Sequence, residues 1–511
     1  KSCVFSAGPV VSLRKNGNFV TRADRPVSCG VCGRSGTRSP AGEGQTCNPK
    51  TLEKTDSKMK MDRRTMLKTA AALSLCAAMP GCLSSGTGKP RRKAKRSIET
   101  DILVVGGGTA GVVAALQAAY GGCRTVLVEG GSQLGGTMTT GGVALPGFFH
   151  VNGKQIIGGI GWNLVCETGA MNDDTLPDFS VPYGKSHWLH QVAFNPFLYA
   201  ALAEEKCLAA GIGLRYYEWP VSVEKSSGGW TVRTFGKGEE YEIRCRQLVD
   251  CTGDAAVTAL AGFARLREEE TQPGSILFRF CGYDPEKLDY DLLGARYRAA
   301  VADGTLERGD VYSDIRLLLD KRNGLASSHV LGADSSTSEA HTAANIAGKA
   351  SVLRILRFLR TLPGCEKARI ESMQPETAVR ETYRIDGCYR ITCEDYAEGR
   401  RFNDAVCYSY YPIDLHDAHG VKPRHLEEGV VPTVPLRALI PAGSRDLVVA
   451  GRCVSSDRLA NSALRVQASC MGMGQAAGAA AVLACRQGAT PGEVPVEDIR
   501  ALIREYGGIV P

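Results

Sequence analysis

The sequence has no stretch in which basic residues alternate with aromatics, and this absence argues against a nucleic-acid-binding surface. The net charge of +7 comes from 61 basic against 54 acidic residues, and the excess sits mainly in two early clusters, residues 58–68 and 89–96. A metal framework is missing as well. Of 19 cysteines, Cys29-Gly-Val-Cys32 forms the only C-x-x-C, with Cys47 nearby and no matching second pair. Thirteen cysteines follow Cys82 at irregular spacings, and Cys123, Cys251 and Cys470 stand in the apolar settings of plain buried thiols. No metal is expected. The early apolar stretch, residues 69–79, is about eleven residues long and too short to span a bilayer. Hydrophobic residues make up 43% of the 511, enough for large cores and two or three domains.

Glycine, by contrast, is plentiful, with 59 residues. In Asp101-Ile102-Leu103-Val104-Val105-Gly106-Gly107-Gly108-Thr109-Ala110-Gly111 an apolar run meets a glycine turn, and an apolar helix pattern follows. Gly106, Gly108 and Gly111 occupy a G-x-G-x-x-G frame. The first glycine makes the turn, the second admits a pyrophosphate to the backbone, and the third packs helix on strand. The helix N-terminus at Thr109 and Ala110 then faces the phosphates. A second buried strand, Thr125-Val126-Leu127-Val128-Glu129, ends in an acid 18 positions beyond Gly111, where a carboxylate accepts the hydroxyls of a ribose. The competing reading is an ordinary glycine-turn βαβ unit.

The glycine frame, Glu129 and the following Gly130-Gly131-Ser132-Gln133-Leu134-Gly135-Gly136-Thr137 resemble flavoproteins of the glutathione-reductase-like class, whose first loop holds FAD. That resemblance implies that Gly130, Gly135, Gly136 and Thr137 lie along the pyrophosphate and flavin. It also implies that Val221 contacts adenine through its backbone. Residues 214–249 alternate as a hairpin or meander around Gly228-Gly229. Then Val249-Asp250-Cys251-Thr252-Gly253-Asp254 looks like the second flavin motif, with Cys251 in place of the usual alanine. A third strand and glycine turn, Leu447-Val448-Val449-Ala450-Gly451-Arg452-Cys453, precedes a small-residue helix containing Gln475-Ala476. In the flavin class this last motif closes on the ribityl chain and aims a helix N-terminus at the pyrimidine ring.

Between the second and third motifs, residues 292–301, 311–319 and 343–362 read as helices, and 335–344 reads as polar loop. Two clusters stand out there. Arg380 and Arg384 are four apart, on one face if helical, with Glu376 and Glu381 available as ion-pair partners. In Tyr410-Tyr411-Pro412-Ile413-Asp414-Leu415-His416, Asp414 and His416 share a face if extended. Earlier, Trp162, His187, Trp188 and His190 read as core aromatics or as pocket lining.

From about residue 100 to 486 the chain resembles the bacterial FAD-dependent oxidoreductase family that carries Arg-x-x-x-Arg-Ile-x-Gly, Tyr-Pro-Ile-Asp-x-His and Leu-Val-Val-Ala-Gly-Arg-Cys blocks. The resulting expectation is an α/β fold, a discontinuous three-layer Rossmann-like FAD-binding domain with an inserted α+β substrate domain. Its first part is residues 97–261, the substrate or cap domain 262–440, and the C-terminal part 441–511. Upstream, Met61-Asp62-Arg63-Arg64-Thr65-Met66-Leu67-Lys68 resembles a twin-arginine export signal, with residues 61–96 as signal and tether. Residues 1–60 are expected to be disordered or an upstream extension, with translation starting at Met59 or Met61. Ala78-Met79-Pro80-Gly81-Cys82 resembles a lipoprotein cleavage box, so either lipidation at Cys82 or simple cleavage ends the signal. The twin-arginine translocase is the expected partner, and the periplasm or cell envelope the expected location.

The expected chemistry is hydride transfer between a small organic substrate and FAD, with an electron acceptor that the sequence does not name. His416 is the expected acid/base, Asp414 its orienting group, and Arg380 and Arg384 the substrate holders. Three alternatives stand beside it: reduction of an unsaturated acid with an arginine as proton donor, a non-redox FAD protein, and a surface binding protein that has lost FAD. No second nucleotide fingerprint is present, so direct use of NAD(P)H is not expected.

Overall fold

Four apolar strands meet at the centre of the molecule because their side chains are buried from both faces. In this computed structural model the described residues are 96–511, apart from 183–185, 312–313, 320–325, 418–419 and 422. The upstream extension, the twin-arginine segment, Cys29, Cys32, Cys47 and Cys82 lie outside them, as do the side chains of His187 and Trp188.

Strand β1 (Arg96–Val105) leads into helix α1 (Thr109–Tyr120) and then strand β2 (Thr125–Glu129). Helix α2 (Pro196–Ala209) precedes β3 (Gly213–Tyr216), and a meander of β4 (Trp219–Ser226), β5 (Gly229–Gly236) and β6 (Glu239–Asp250) follows. The strand order is β3-β2-β1-β6, with β5 and β4 continuing beyond β6. Besides β1 on one edge, β6 serves two partners on the other. Its first half pairs antiparallel with β5, and its last residues pair parallel with the late strand Leu447–Val449. The registers Val105↔Val128, Val105↔Asp250 and Val449↔Asp250 bring the carboxyl ends of four parallel strands level. All three glycine motifs therefore open at one edge of the sheet, where an open α/β fold binds its ligands.

A second unit has its own core. Strand β7 (Gly274–Cys281), helix α3 (Tyr290–Ala302), strand β8 (Ala326–Val330), helix α4 (Ser338–Leu359) and strand β9 (Arg369–Met373) form a three-stranded antiparallel sheet backed by helices. Phe278, Leu293, Val352, Ile355 and Leu359 fill it. Helix α4 begins within the run that reads as loop, because Thr337 Oγ1 accepts from Ala340 N at 3.1 Å and caps it. Residues 391–440, grouped by sequence with the substrate domain, pack instead into the large core: Ile391, Tyr396, Val406 and Leu436 share it with α1.

The strand Leu447–Val449, β10 here, is followed by helix α5 (Gln467–Gln487). This helix is long and apolar enough to cross a membrane, yet it is buried along nearly its whole length as the core helix against α1. Small residues permit the contact. A Cβ at Gly474 would lie 2.3 Å from Ala110 O, and one at Gly478 would lie 2.6 Å from Ala114 O. Among the described residues the thirteen cysteines are free thiols, and no group of three or more His, Cys, Asp or Glu is placed to hold a metal.

Replacing Gly478 by valine forces α5 off α1, since the obstacle is backbone and not a movable side chain. The expected loss is about 1–3 kcal/mol, typical of overpacking. It should appear as a lower thermal midpoint; an unchanged midpoint would show that the helices part freely.

Candidate active site

The cofactor cradle is made of backbone. Gly106 has φ +98°, and a Cβ there would meet Cys251 O at 2.4 Å. A Cβ at Gly111 would lie 1.8 Å from Gly106 O, so the strand, the turn and the first helical turn interlock. Gly108 is different: nothing lies within 4 Å of its would-be Cβ. It is also the N-cap of α1 and has no side chain to satisfy the first N–H groups, which point out of the helix end. That opening suits a diphosphate, which would lie against the glycine and accept from Thr109, Ala110 and Gly111.

The second glycine segment lies along the first. Gly135 N donates to Gly107 O at 2.8 Å, and Gly135 bridges to Gly108. A Cβ at Gly136 would lie 3.1 Å from Gly108 Cα, and Thr137 follows in a short 3-10 turn. Glu129 accepts from Gly107 N and Gly131 N, both at 2.6 Å, one at each carboxylate oxygen. Burial raises its pKa against the pull of these two N–H groups. Each oxygen keeps a lone pair for a ribose hydroxyl. Val221 is skipped by the β4–β5 register between Pro220 and Ser222, near the place where Glu218 N donates to Glu129 O at 3.2 Å and Trp219 covers Gly130. A Cβ at Gly451, whose φ is +99°, would lie 3.3 Å from Ala110 Cβ.

Other expected cofactor residues have protein partners. Thr252 Oγ1 donates to Asp250 at 2.7 Å. Asp254 Oδ1 accepts from Arg452 at 2.7 Å, Thr382 at 2.6 Å and Ser335 at 2.9 Å. Arg452 also donates to Gly253 O and to Val379 O. Gln475 and Ala476 lie two turns inside α5 and away from its N-terminus, because the helix begins at Gln467. Gln475 bonds Gln117 and Ile160 within the core. The residue that ties the start of α5 to the glycine-rich loop is Gln467, which donates to Val143 O at 3.0 Å.

The titratable cluster forms around Asp414 and His416. As expected for an extended segment, His416 Nε2 is 3.0 Å from Asp414 Oδ2. His416 Nδ1 is 3.2 Å from His329 Nε2, a residue of β8 in the second unit that the sequence does not single out. Arg465 lies 3.9 Å from Asp414 Oδ2 and donates to Gln272 Oε1 at 3.0 Å. Its Nε is buried with no hydrogen-bond partner among the described residues. Gln272 in turn donates to Glu381, which accepts from Arg458 at 3.1 Å. Tyr411 accepts from Gln191 at 2.9 Å and lies 3.5 Å from the would-be Cβ of Gly147. The segment leading to His416 thus lies against Gly147 through Tyr411.

The two arginines part company. Residues 379–383 form no helix and bend at Thr382, so the condition for a shared helical face is not met. Arg380 donates to Pro273 O at 2.6 Å, and its charge acts on His329, His416 and Asp414. Arg384 is 1% exposed, pairs with Glu268 and donates to Ser456 O, away from the cluster. Neither uses Glu376 or Glu381 in the ion pairs described; Glu376 faces His341 at 3.9 Å. Trp162 and His190 belong to an aromatic group with Phe149, His150 and Phe179, which is the core reading of those residues.

Electrostatics follow from burial. Burial pushes His416 down to about 4, with Asp414 pulling the other way and Arg380 adding to the fall. Burial, Arg380 and His416 push His329 to about 3. For Asp414 burial acts upward, but the His416 hydrogen bond and the charges of His416, Arg465 and Arg380 outweigh it and hold the carboxyl below its ordinary value. At neutral pH the cluster holds an ionised carboxylate and two neutral imidazoles.

Comparison with known proteins supplies the family. No curated protein sequence matches the chain. Among solved structures, a geranylgeranyl bacteriochlorophyll reductase-like protein from Thermoplasma acidophilum is 15% identical, covering 80% of this chain and 84% of that one at TM-score 0.37. The p-nitrophenol 4-monooxygenase PnpA from Pseudomonas putida is 14% identical over 80% and 84%, at 0.34. OxyS anhydrotetracycline hydroxylase from Streptomyces rimosus is 14% identical over 79% of this chain and 65% of that one, at 0.39. The sequence profile described as FAD dependent oxidoreductase matches residues 101–503, from the first strand of the cradle to the final helix. With the glycine cradle, Glu129 and the level strand ends, that match makes the chain a member of the FAD-dependent oxidoreductase family, an enzyme whose cofactor is FAD.

Proposed function

We propose that the chain is an exported oxidoreductase that oxidises a hydroxyl-bearing carbon of a small organic molecule, a sugar, polyol or organic acid. The observation that carries this reading is the buried chain of Asp414, His416 and His329. When bound, FAD supplies a two-electron acceptor. The protein's own part is the proton. A neutral imidazole held by an ionised carboxylate is a base, and burial keeps water from competing for it. Asp414 fixes the ring and stabilises the imidazolium that forms. Arg380 and the unpartnered Nε of Arg465 offer donors to a hydroxyl, carboxylate or developing oxyanion. Arg384 is engaged with Glu268 and Ser456 O.

Export is supported by the paired Arg63-Arg64 before the apolar stretch. The twin-arginine translocase is the partner this implies, since its cargo folds around cofactor before crossing. Cys82 is the proposed lipid anchor, with simple cleavage as the other outcome.

The experiment is anaerobic mixing of the FAD-loaded protein with a panel of sugars, polyols and small organic acids, followed by its visible absorbance. Bleaching by one of them is expected; a spectrum that none of them bleaches sinks donor oxidation. His416→Ala should keep its FAD spectrum yet slow that bleaching by about 10²–10⁴-fold, the usual worth of a positioned base. An unchanged rate would remove His416 from the chemistry.

The pH dependence has a definite sign. Protonation removes the base, so the rate of bleaching should rise with pH through about 4 and stay level to neutrality. A limb near the ordinary histidine value of about 6.5 would mean that the working base is solvated and lies elsewhere.

A further inference from the structure

Of the thirteen described cysteines nine are buried. Cys485, near the end of α5, is one of them, and its thiol is hydrogen-bonded to that of the half-buried Cys123. The contact is set by the chain around it. Cys123 follows the turn after α1, where its N–H donates to Ala118 O at 3.2 Å. A Cβ at Gly121 in that turn would lie 2.8 Å from Val482 of α5, and Arg486 donates to Gly121 O at 2.8 Å. On the other side Cys485 Sγ lies 3.7 Å from Asp101 O of β1, and Arg246 of β6 donates to Cys485 O. Asp101 also holds Arg124, the neighbour of Cys123, by its backbone N–H at 3.0 Å and its guanidinium at 3.1 Å. The last turn of α5 is therefore held from three elements, and the two sulfurs meet although they are far apart in sequence.

We propose that Cys123 and Cys485 are a redox-active pair, a modification site whose substrate is the disulfide of a small thiol such as glutathione. Cys123 gives its proton to solvent and its thiolate attacks one sulfur of that disulfide. An S–S bond forms to Cys123, and the first small thiol leaves as thiolate and takes up a proton. Cys485 then gives its proton to solvent and its thiolate attacks Cys123 Sγ, which forms the protein disulfide and expels the second small thiol. Two protein thiols are oxidised, and one disulfide is reduced to two thiols.

The environment sets the order of attack. The hydrogen bond from Cys485 draws the Cys123 thiol below its ordinary value, outweighing burial and Asp101, and the charges of Arg486 and Arg246 act in the same direction. The same bond, together with burial, pushes Cys485 up. The sulfur that a disulfide can reach is thus the one that ionises more readily, and the buried sulfur resolves the intermediate. Closing the pair ties the end of α5 to the turn that enters β2, the strand ending in Glu129. Such a bond restricts the unfolded chain and leaves the packing of α5 on α1 in place. A reducing compartment keeps the pair as a dithiol, and an oxidising one closes it. None of this depends on the hydride chemistry proposed above.

The test takes the full FAD-loaded chain, reduced with dithiothreitol and desalted, through mixtures of glutathione and its disulfide. Free thiols are then alkylated and the peptides weighed. A peptide joining Cys123 to Cys485 is expected to grow with the share of disulfide and to vanish on reduction. The thermal midpoint should rise with it and fall back on reduction; an unmoved midpoint in the linked chain overturns the clamp. Cys485→Ser should stop at glutathione on Cys123, and Cys123→Ser should give neither the link nor the rise. The pair is overturned if, at the oxidising end, the unsubstituted chain has both cysteines alkylated, keeps glutathione on Cys123, or joins Cys123 to another cysteine. That chain decides the matter even where a variant fails to fold.

Discussion

The rest of the structure depends on backbone lying directly against backbone where the first strand turns into the first helix. At Gly106 and Gly111 a Cβ would stand 2.4 and 1.8 Å from carbonyl oxygens, distances that no side chain tolerates. Because these positions are bare, β6 and its loop close up to the turn. Because Gly474 and Gly478 are bare, α5 closes onto α1 from the other side. Dispersion across such contacts is collectively large, and the interior is dense enough that one added methyl group is felt. The result is a helix N-terminus held rigidly at the level ends of four strands. That geometry leaves a few orphan N–H groups at the helix end facing outward, an arrangement that suits a diphosphate.

The second constraint is charge. Asp254, Arg452, Thr382 and Ser335 form a hydrogen-bonded knot in which two flavin-type motifs meet the inserted region. Arg384 with Glu268, and Arg458 with Glu381, extend the same seam. Buried ions persist only when paired, so each of these pairs fixes where a segment must lie. His329 of β8 and His416, in the short strand His416–Asp417, come within hydrogen-bond distance although they are 87 residues apart in sequence.

Much of the fold is legible in the sequence because it is written in local patterns. The strand, glycine turn and helix of residues 101–116, the acid at Glu129 and the meander of β4 to β6 each follow from short-range periodicity and turn chemistry. The Asp414–His416 pair is legible for the same reason, since an extended strand puts every second side chain on one face. The shared helical face considered for Arg380 and Arg384 does not arise, since residues 379–383 are irregular and each arginine takes a partner distant in sequence: Pro273 O for Arg380, and Glu268 for Arg384. Gln475 and Ala476 sit in the middle of a helix whose start is set by packing against the loop that ends at Pro146, where Ala468 N bonds at 2.8 Å. His329 left no local mark. It is one histidine in a short strand, and its role exists only through its partner.

By itself, then, the sequence determined the class of fold, because glycine spacing, a buried apolar run and a terminal acid act within about thirty residues of chain. It also determined one carboxylate–histidine pair. Only the tertiary structure decided which charged groups share a site with that pair, that Arg465 and His329 belong to it, and that Arg384 and Gln475 do not. The physical reason is that hydrogen bonds and ion pairs between buried groups are settled by whichever partner folding brings within about 3 Å, and separation along the chain carries no record of that distance.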